Sequence, residues 1–347
     1  MSHRRKRGNR KIWYLLAGAI ALAGVAVFIW QTVRLYRLRQ ETEAQIAERV
    51  YAQAEGSVLS QSGTLEYDGK TYRRNTHVKA ILCMGVDRKG TMEGTTIPTM
   101  GGQADGIFVI AQDTARNTLK ILMVPRDSMT EIVMTDLSGN VLGKDIQHLT
   151  LAYAYGDGRE KSCELTMEAV SNLLCGLEID HYIAANIEVI NILNDSVGGV
   201  TVTVPSAGME KKDAAFVEGA TVTLHGEQAE AFVRYRDITE THSAIFRMSR
   251  QQEYIMQFFG VVKGKAARNS GIVTDLLALI EQHMVTDMGK EEYLKVALDA
   301  LEMETLEEGD FYVVPGKAVM TDIYDEFHVN QEALMPIILD LFYREAS

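Results

Sequence analysis

The chain has 347 residues, 46% of them hydrophobic, and a net charge of −12. That length and apolar content suffice for one large core or two small ones and exclude a disordered chain. The acidic balance excludes a nucleic-acid binder, whose phosphate partner needs a basic footprint. Any anionic substrate must therefore be held by a local arginine cluster or a metal ion.

Nine Lys or Arg precede Glu41, the first acidic residue. Among them runs Ile12 to Trp30, 19 apolar residues without a charge. At about 1.5 Å per residue this nearly crosses a hydrocarbon core of about 30 Å. Trp13, Tyr14 and Trp30 sit near its ends, as interfacial aromatics do. The basic excess lies on the N-terminal side, so residues 1–11 are expected in the cytoplasm, 12–30 as a single transmembrane helix, and the rest outside. Ala52-Gln53-Ala54 resembles a cleavage site, but it lies more than twenty residues past Trp30, too far for a signal peptide. A retained anchor is expected, followed by a helix-prone stalk and then a Gly/Ser/Thr-rich linker with little regular structure, together covering 31–75.

Val78 to Val86 is a short apolar run and predicts a central strand. Ile107 to Gln112 and Leu119 to Val124 predict a hairpin, because the turn-like Asp113 to Asn117 separates them. Met167, Val170, Leu173 and Leu174 recur at helical spacing within Glu164 to Leu174. His181 to Ala185 and Val200 to Val204 read as strands, with Gly198-Gly199 turning into the second. Gly226 to Val233, Met248 to Val262, Ile272 to Met284, Lys290 to Glu302 and Asn330 to Phe342 read as helices. The mixture predicts an α/β fold, a layered mixed sheet flanked by helices. Residues 76–262 would form the principal domain and 263–347 a helical part packed on it. Cys83 reads as a core residue, and a Cys163–Cys175 disulfide is left open.

Charge gathers at strand ends, where ligands of α/β sheets collect. Gly85-Val86-Asp87-Arg88 follows one predicted strand, Gln103-Ala104-Asp105-Gly106 precedes the next, and Pro125-Arg126-Asp127-Ser128 follows the third. In Arg234-Tyr235-Arg236 both arginines would share a face if the stretch were extended. Arg247, Arg250 and Gln251 fall on one helix face, and the predicted start at Met248 puts them at its N-terminus, where backbone N–H groups also favour anions. Singly, each is an ordinary turn or a solvated face. Together, separate arginines point to a planar clamp for phosphate oxygens, and the carboxylates to a hard cation such as Mg²⁺.

These blocks resemble the LytR-CpsA-Psr family. Its Gly-x-Asp strand end is matched by Gly85 to Asp87 and its Pro-Arg-Asp by Pro125 to Asp127. Its Ala-Tyr-x-x-Gly stretch, Asp-His-Tyr strand and Gly-Gly-Val turn are matched at 152–156, 180–182 and 198–200. Gly-Glu-Gln-Ala, Val-Arg-Tyr-Arg and Arg-x-x-Arg-Gln follow in order at 226–229, 233–236 and 247–251. Two departures stand out. Gln103-Ala104-Asp105 replaces Arg-Ser-Asp, and Ala244 occupies a position that is usually acidic, leaving Asp237, Glu240 or His242 as substitutes.

The resemblance implies a polyprenyl-pyrophosphate site above a hydrophobic tunnel, with Mg²⁺ near Asp87 and Asp105. It implies a clamp from Arg88, Arg126, Arg234, Arg236 and Arg247, to which helix spacing adds Arg250 and Gln251. Arg126, Asp105 and Arg247 would carry the chemistry. The expected activity is transfer of a phosphate-linked glycopolymer, such as teichoic acid or capsule, from the lipid carrier to peptidoglycan at the outer face of the cell membrane. A non-catalytic receptor for lipid-linked polymer and a pyrophosphatase are the alternatives.

Overall fold

A computed structural model describes residues 64–95, 97–98, 100–236, 243–269, 271–321 and 325–346. The predicted anchor and stalk, and the candidates Asp237, Glu240 and His242, lie outside them. No helix among the described residues is long and apolar enough to cross a membrane.

The chain opens with β1 (Thr64–Tyr67) and β2 (Lys70–Arg74), an antiparallel hairpin where the sequence suggested a linker. Asp68-Gly69 turns it, both at positive φ (49° and 72°), the two-residue hairpin signature. There follow β3 (Val78–Val86), β4 (Ala104–Asp113), β5 (Thr118–Val124), and a second hairpin of β6 (Met129–Thr135) and β7 (Val141–His148). Then come α1 (Thr150–Ala154), α2 (Glu160–Leu173), β8 (His181–Asn186), α3 (Glu188–Ser196), β9 (Val200–Thr203), β10 (Thr221–Leu224), α4 (Glu227–Arg234) and α5 (Ser243–Ala266). The remainder supplies α6 (Ile272–Ile280), β11 (Met284–Thr286), α7 (Lys290–Glu302), β12 (Phe311–Val313), β13 (Gly316–Met320), β14 (Asp325–Val329), α8 (Gln331–Phe342) and β15 (Tyr343–Glu345).

The central mixed sheet runs β11-β8-β3-β4-β5-β12. β3 pairs antiparallel with β4 and parallel with β8, so it lies buried in the middle, as its near-continuous apolar sequence requires. Alternation sorts its side chains. Ala80, Leu82, Met84 and Val86 join Ala169, Val170 and Leu173 of α2 and Leu334, Ile338 and Phe342 of α8 in one core. Ile81 and Cys83 face Tyr293 and Leu294 of α7, while Ile121 and Met123 of β5 face Met248, Ile255 and Phe259 of α5. The sheet is thus the middle of three layers. Residues 263–347 are not only helical: they give the sheet both edge strands, β11 and β12, and seat β15 against β2. The three cysteines are free.

Two sequence blocks have structural explanations. Asp180 accepts from the Ala80 N–H (2.6 Å) and from Arg74 Nη2 (2.9 Å), fixing the start of β3. Tyr153 is fully buried and donates its hydroxyl proton to the Gly158 carbonyl at 3.0 Å, bracing the turn into α2.

Candidate active site

The register of β3 and β4 places the first carboxylates. Gly85 lies opposite Gly106 and Val86 opposite Ala104, leaving Asp105 as the extra residue of a β-bulge. A bulge re-aims the side chain it carries, and here it brings Asp105 within bonding distance of Arg126. Asp87, one residue past β3, closes the base of the connecting loop. Its N–H donates to the Gln103 carbonyl at 3.0 Å, and its Oδ1 accepts from the Gln103 N–H at 2.6 Å. Gly102 permits that closure: its φ is +91°, and a Cβ there would stand 2.9 Å from Val86 Cγ1 and 3.1 Å from Asp87 Oδ1.

Pro125 to Ser128 forms a tight turn, with the Ser128 N–H donating to the Pro125 carbonyl at 3.0 Å. Thr150 ties this turn to the bulge. Its N–H donates to the Arg126 carbonyl (3.0 Å) and its hydroxyl to the Ala104 carbonyl (2.9 Å). Sequence reasoning passed Thr150 over, since no charge or motif marks it.

Arg126 donates Nη1 to Asp105 Oδ1 and holds Nε 3.2 Å from Asp127 Oδ1. Arg236 places Nη1 3.5 Å from Asp127 Oδ2 and Nη2 2.5 Å from Asp325 Oδ2. Five charges therefore alternate in a row: Asp105, Arg126, Asp127, Arg236, Asp325. Arg247 stands beside the row, buried at 7% exposure, with its Nε lacking a hydrogen-bond partner among the described residues. Burial first, then the neighbouring Arg126, pulls its pKa down to about 10, so it stays charged at neutral pH. A desolvated guanidinium with an idle donor is a site for an anion. Burial also works against the charge on Arg126, but Asp105 and Asp127 outweigh it and raise its pKa.

Of the remaining candidates, Gln251 lines the same pocket as Asp105, Arg126 and Arg247. Arg234 sits at the exposed rim, paired with Glu230 at 3.0 Å, and its charge reaches Asp87. It ends a helix, so it does not share an extended face with Arg236. Arg88 turns to the Glu93 carbonyl at 2.6 Å and packs on Gly158, supporting the loop. Arg250, 3% exposed, donates to the carbonyls of Phe232 (2.8 Å) and Tyr235, fastening α4 to α5. α5 begins at Ser243, so Arg247 lies in its second turn and acts through its side chain, not through terminal N–H groups.

Asp87 and Asp105 suit a Mg²⁺ ion. Loss of water around the Asp87 carboxyl, then the charge of Asp105, raises the Asp87 pKa despite the Gln103 N–H and the arginines. A divalent cation held there would offset that repulsion. No group of three His, Cys, Asp or Glu forms a metal cage among the described residues, so a Mg²⁺ ion there would depend on ligands from outside the chain.

The pocket that the described residues form beneath the cluster is too small for the expected tunnel. The pocket bounded by Ile107, Met123, Val124 and Met248 holds about 10 Å³, room for about one water molecule. Phe108, Ile110, Ile255, Met256 and Phe259, each partly buried, occupy the layer between sheet and α5.

Residues 35–338 match the profile of the LytR-CpsA-Psr family. A polyisoprenyl-teichoic acid–peptidoglycan teichoic acid transferase, TagU of Bacillus cereus, is 29% identical over 221 residues. The alignment covers 61% of the chain and 61% of that relative's length. TagT bound to LI-WTA superposes with a TM-score of 0.58 at 20% identity, covering 77% of this chain and 90% of TagT. A Streptococcus agalactiae protein superposes with a TM-score of 0.60 at 22% identity, covering 77% and 87%. At these identities the structures establish the fold.

Proposed function

Because the chain belongs to the LytR-CpsA-Psr family, we propose that it is a phosphotransferase moving a phosphate-linked glycopolymer from a polyprenyl-pyrophosphate carrier to peptidoglycan. The observation that carries this reading is Arg247, a buried cation with an idle Nε, set beside Arg126 and Arg236 at one strand-end pocket. Teichoic acid is the polymer handled by the relative TagU, by its name.

Transfer of this kind asks for positioning and charge neutralisation more than for covalent chemistry. Arg247 and Gln251 would bind the diphosphate from α5 and Arg126 from the turn after β5, while Arg234 guides it at the rim. A Mg²⁺ ion on Asp87 and Asp105 would supply a Lewis acid that offsets charge on the diphosphate. Asp105, which pairs with Arg126, would help hold such an ion, and Arg126 would then be available to the phosphates. A peptidoglycan hydroxyl oxygen would bond to the polymer-bearing phosphorus as its bond to the bridging oxygen breaks; polyprenyl phosphate would leave with that oxygen, and the hydroxyl's proton would pass to water. The prenyl tail would enter between the sheet and α5, displacing the half-buried contacts of Phe108, Ile255 and Phe259. The apolar segment 12–30 would anchor the enzyme in the membrane that holds its lipid substrate and raise their effective concentration.

Full-length protein in detergent, given a polyprenyl-pyrophosphate oligosaccharide and peptidoglycan fragments, provides the test. Arg126→Ala should reduce transfer at least about a hundredfold, the scale seen when one charge-stabilising donor is removed. Transfer near the wild-type rate would refute the clamp. Tight binding without turnover in the wild type would favour the receptor reading, and phosphosugar release without acceptor the pyrophosphatase.

A further inference from the structure

The β13–β14 hairpin brings a carboxylate to the site from a part of the chain that carries no recognisable motif. β14 lies beside the Pro125–Ser128 turn: the Phe327 N–H donates to the Asp127 carbonyl at 2.9 Å, and Phe327 bridges Ser128 in parallel. Phe327 and Val329 pack against the main core. By the two-residue period of a strand, position 325 faces the same way, and at the strand's open end the Asp325 side chain is 41% exposed, free to reach across to the turn. That acid meets Arg236 at 2.5 Å, and Asp127 holds the other Nη at 3.5 Å. The Arg236 side chain is only 16% exposed, and its charge is among those that depress the Arg247 pKa. Two largely desolvated guanidiniums within reach of each other repel, so each carboxylate that pairs with Arg236 helps keep it from moving toward solvent.

The geometry points to Asp325 as a positioning residue. It holds Arg236 in the anion-binding cluster against Arg247 and Arg126, which makes the β13–β14 hairpin part of the substrate site. This rests on reading the cluster as the diphosphate site. The effect has a diagnostic sign. Deleting a negative charge near an anion site would tighten anion binding if field alone mattered. Loss of positioning weakens it.

The experiment measures KM and kcat of full-length Asp325→Asn with the polyprenyl-pyrophosphate oligosaccharide, alongside Arg126→Ala. The expected result is a KM raised about tenfold, the scale of one lost charge-assisted hydrogen bond, with a smaller change in kcat. The melting temperature should hold, Asp325→Glu should recover most of the loss, and Asp325→Asn should add nothing in an Arg236→Gln background. An unchanged or lowered KM, or full additivity with Arg236→Gln, overturns the proposal. If Arg126→Ala is inactive while Asp325→Asn matches wild type, only this inference falls. If Arg126→Ala is fully active, the reading of the cluster falls with it.

Discussion

Arg88, Arg126 and Arg250 look alike as letters: each follows or lies near a strand or helix end in a matching motif. Their fates differ because the partners of Arg88 and Arg250 are backbone carbonyls, at Glu93, Phe232 and Tyr235. A carbonyl leaves no trace in the side-chain sequence, so only the fold separates a strut from a ligand. That Asp105 and Asp87 would meet was legible, since each stands close to a glycine at one of two adjoining strand ends. Two titrations test their surroundings. The Asp87 pKa is raised, so the folded chain keeps its proton longer than the unfolded one. The stability of the neutral form is present below the unfolded pKa and is lost as pH rises through the folded value. Asp87→Asn should therefore raise the melting temperature at pH 7 without divalent cation and, on the proposed Mg²⁺ site, leave no upward shift when Mg²⁺ is added. A lower melting temperature would contradict this. His148 behaves oppositely: burial, ahead of the pull of Asp127 and Glu326, lowers its pKa from 6.5. Its contribution is present above that value and lost on acidification, so His148→Gln should flatten the fall in melting temperature between about pH 6.5 and 5.

Among the elements, β3, β4, β5, β8 and α7 stand where apolar runs and helical spacing put them. Short strands escaped, and so did the β6–β7 hairpin, whose seven and eight residues carry no long apolar run. β11 and β12 have three residues each, too few to show a period, and β1 and β2 were hidden in a segment whose composition suggested a linker despite its Asp68-Gly69 turn. The partners of β11 and β12 lie far along the chain, beyond any local pattern, whereas β1 pairs with the adjacent β2. The junction of α4 and α5 rests on Arg250. Arg250→Ala leaves the Phe232 carbonyl buried without a donor, at a cost of about 1–3 kcal/mol. The expected outcome is a lowered unfolding midpoint in urea together with lower activity. Arg126→Ala, by contrast, should lose activity with little change in midpoint. If Arg250→Ala is as stable as wild type but inactive, Arg250 belongs with the ligands after all.

For the whole molecule, the acidic body and the anionic substrate are reconciled locally. The alternating row from Asp105 to Asp325 holds three carboxylates and two arginines, so Arg247 brings the cluster to balance, with Arg234, paired to Glu230, at the rim. The layered architecture was legible because alternating strands and helices admit few other packings. The small size of the pocket beneath the cluster was not, since the half-buried side chains of α5 read equally well as core or as tunnel wall.

The seam between β2 and β15 bears on how the protein is made. Ala346 donates its N–H to the Thr71 carbonyl at 2.7 Å, and Lys70 meets Glu345 at 2.9 Å. Just before that seam, Leu334, Ile338 and Phe342 complete the core under β3. The earliest hairpin must thus wait for a strand synthesised 275 residues later. Until then it is an incomplete sheet over an unfinished core. Such long-range closure slows folding and keeps the nascent polypeptide pliable, as export of the kind proposed above demands.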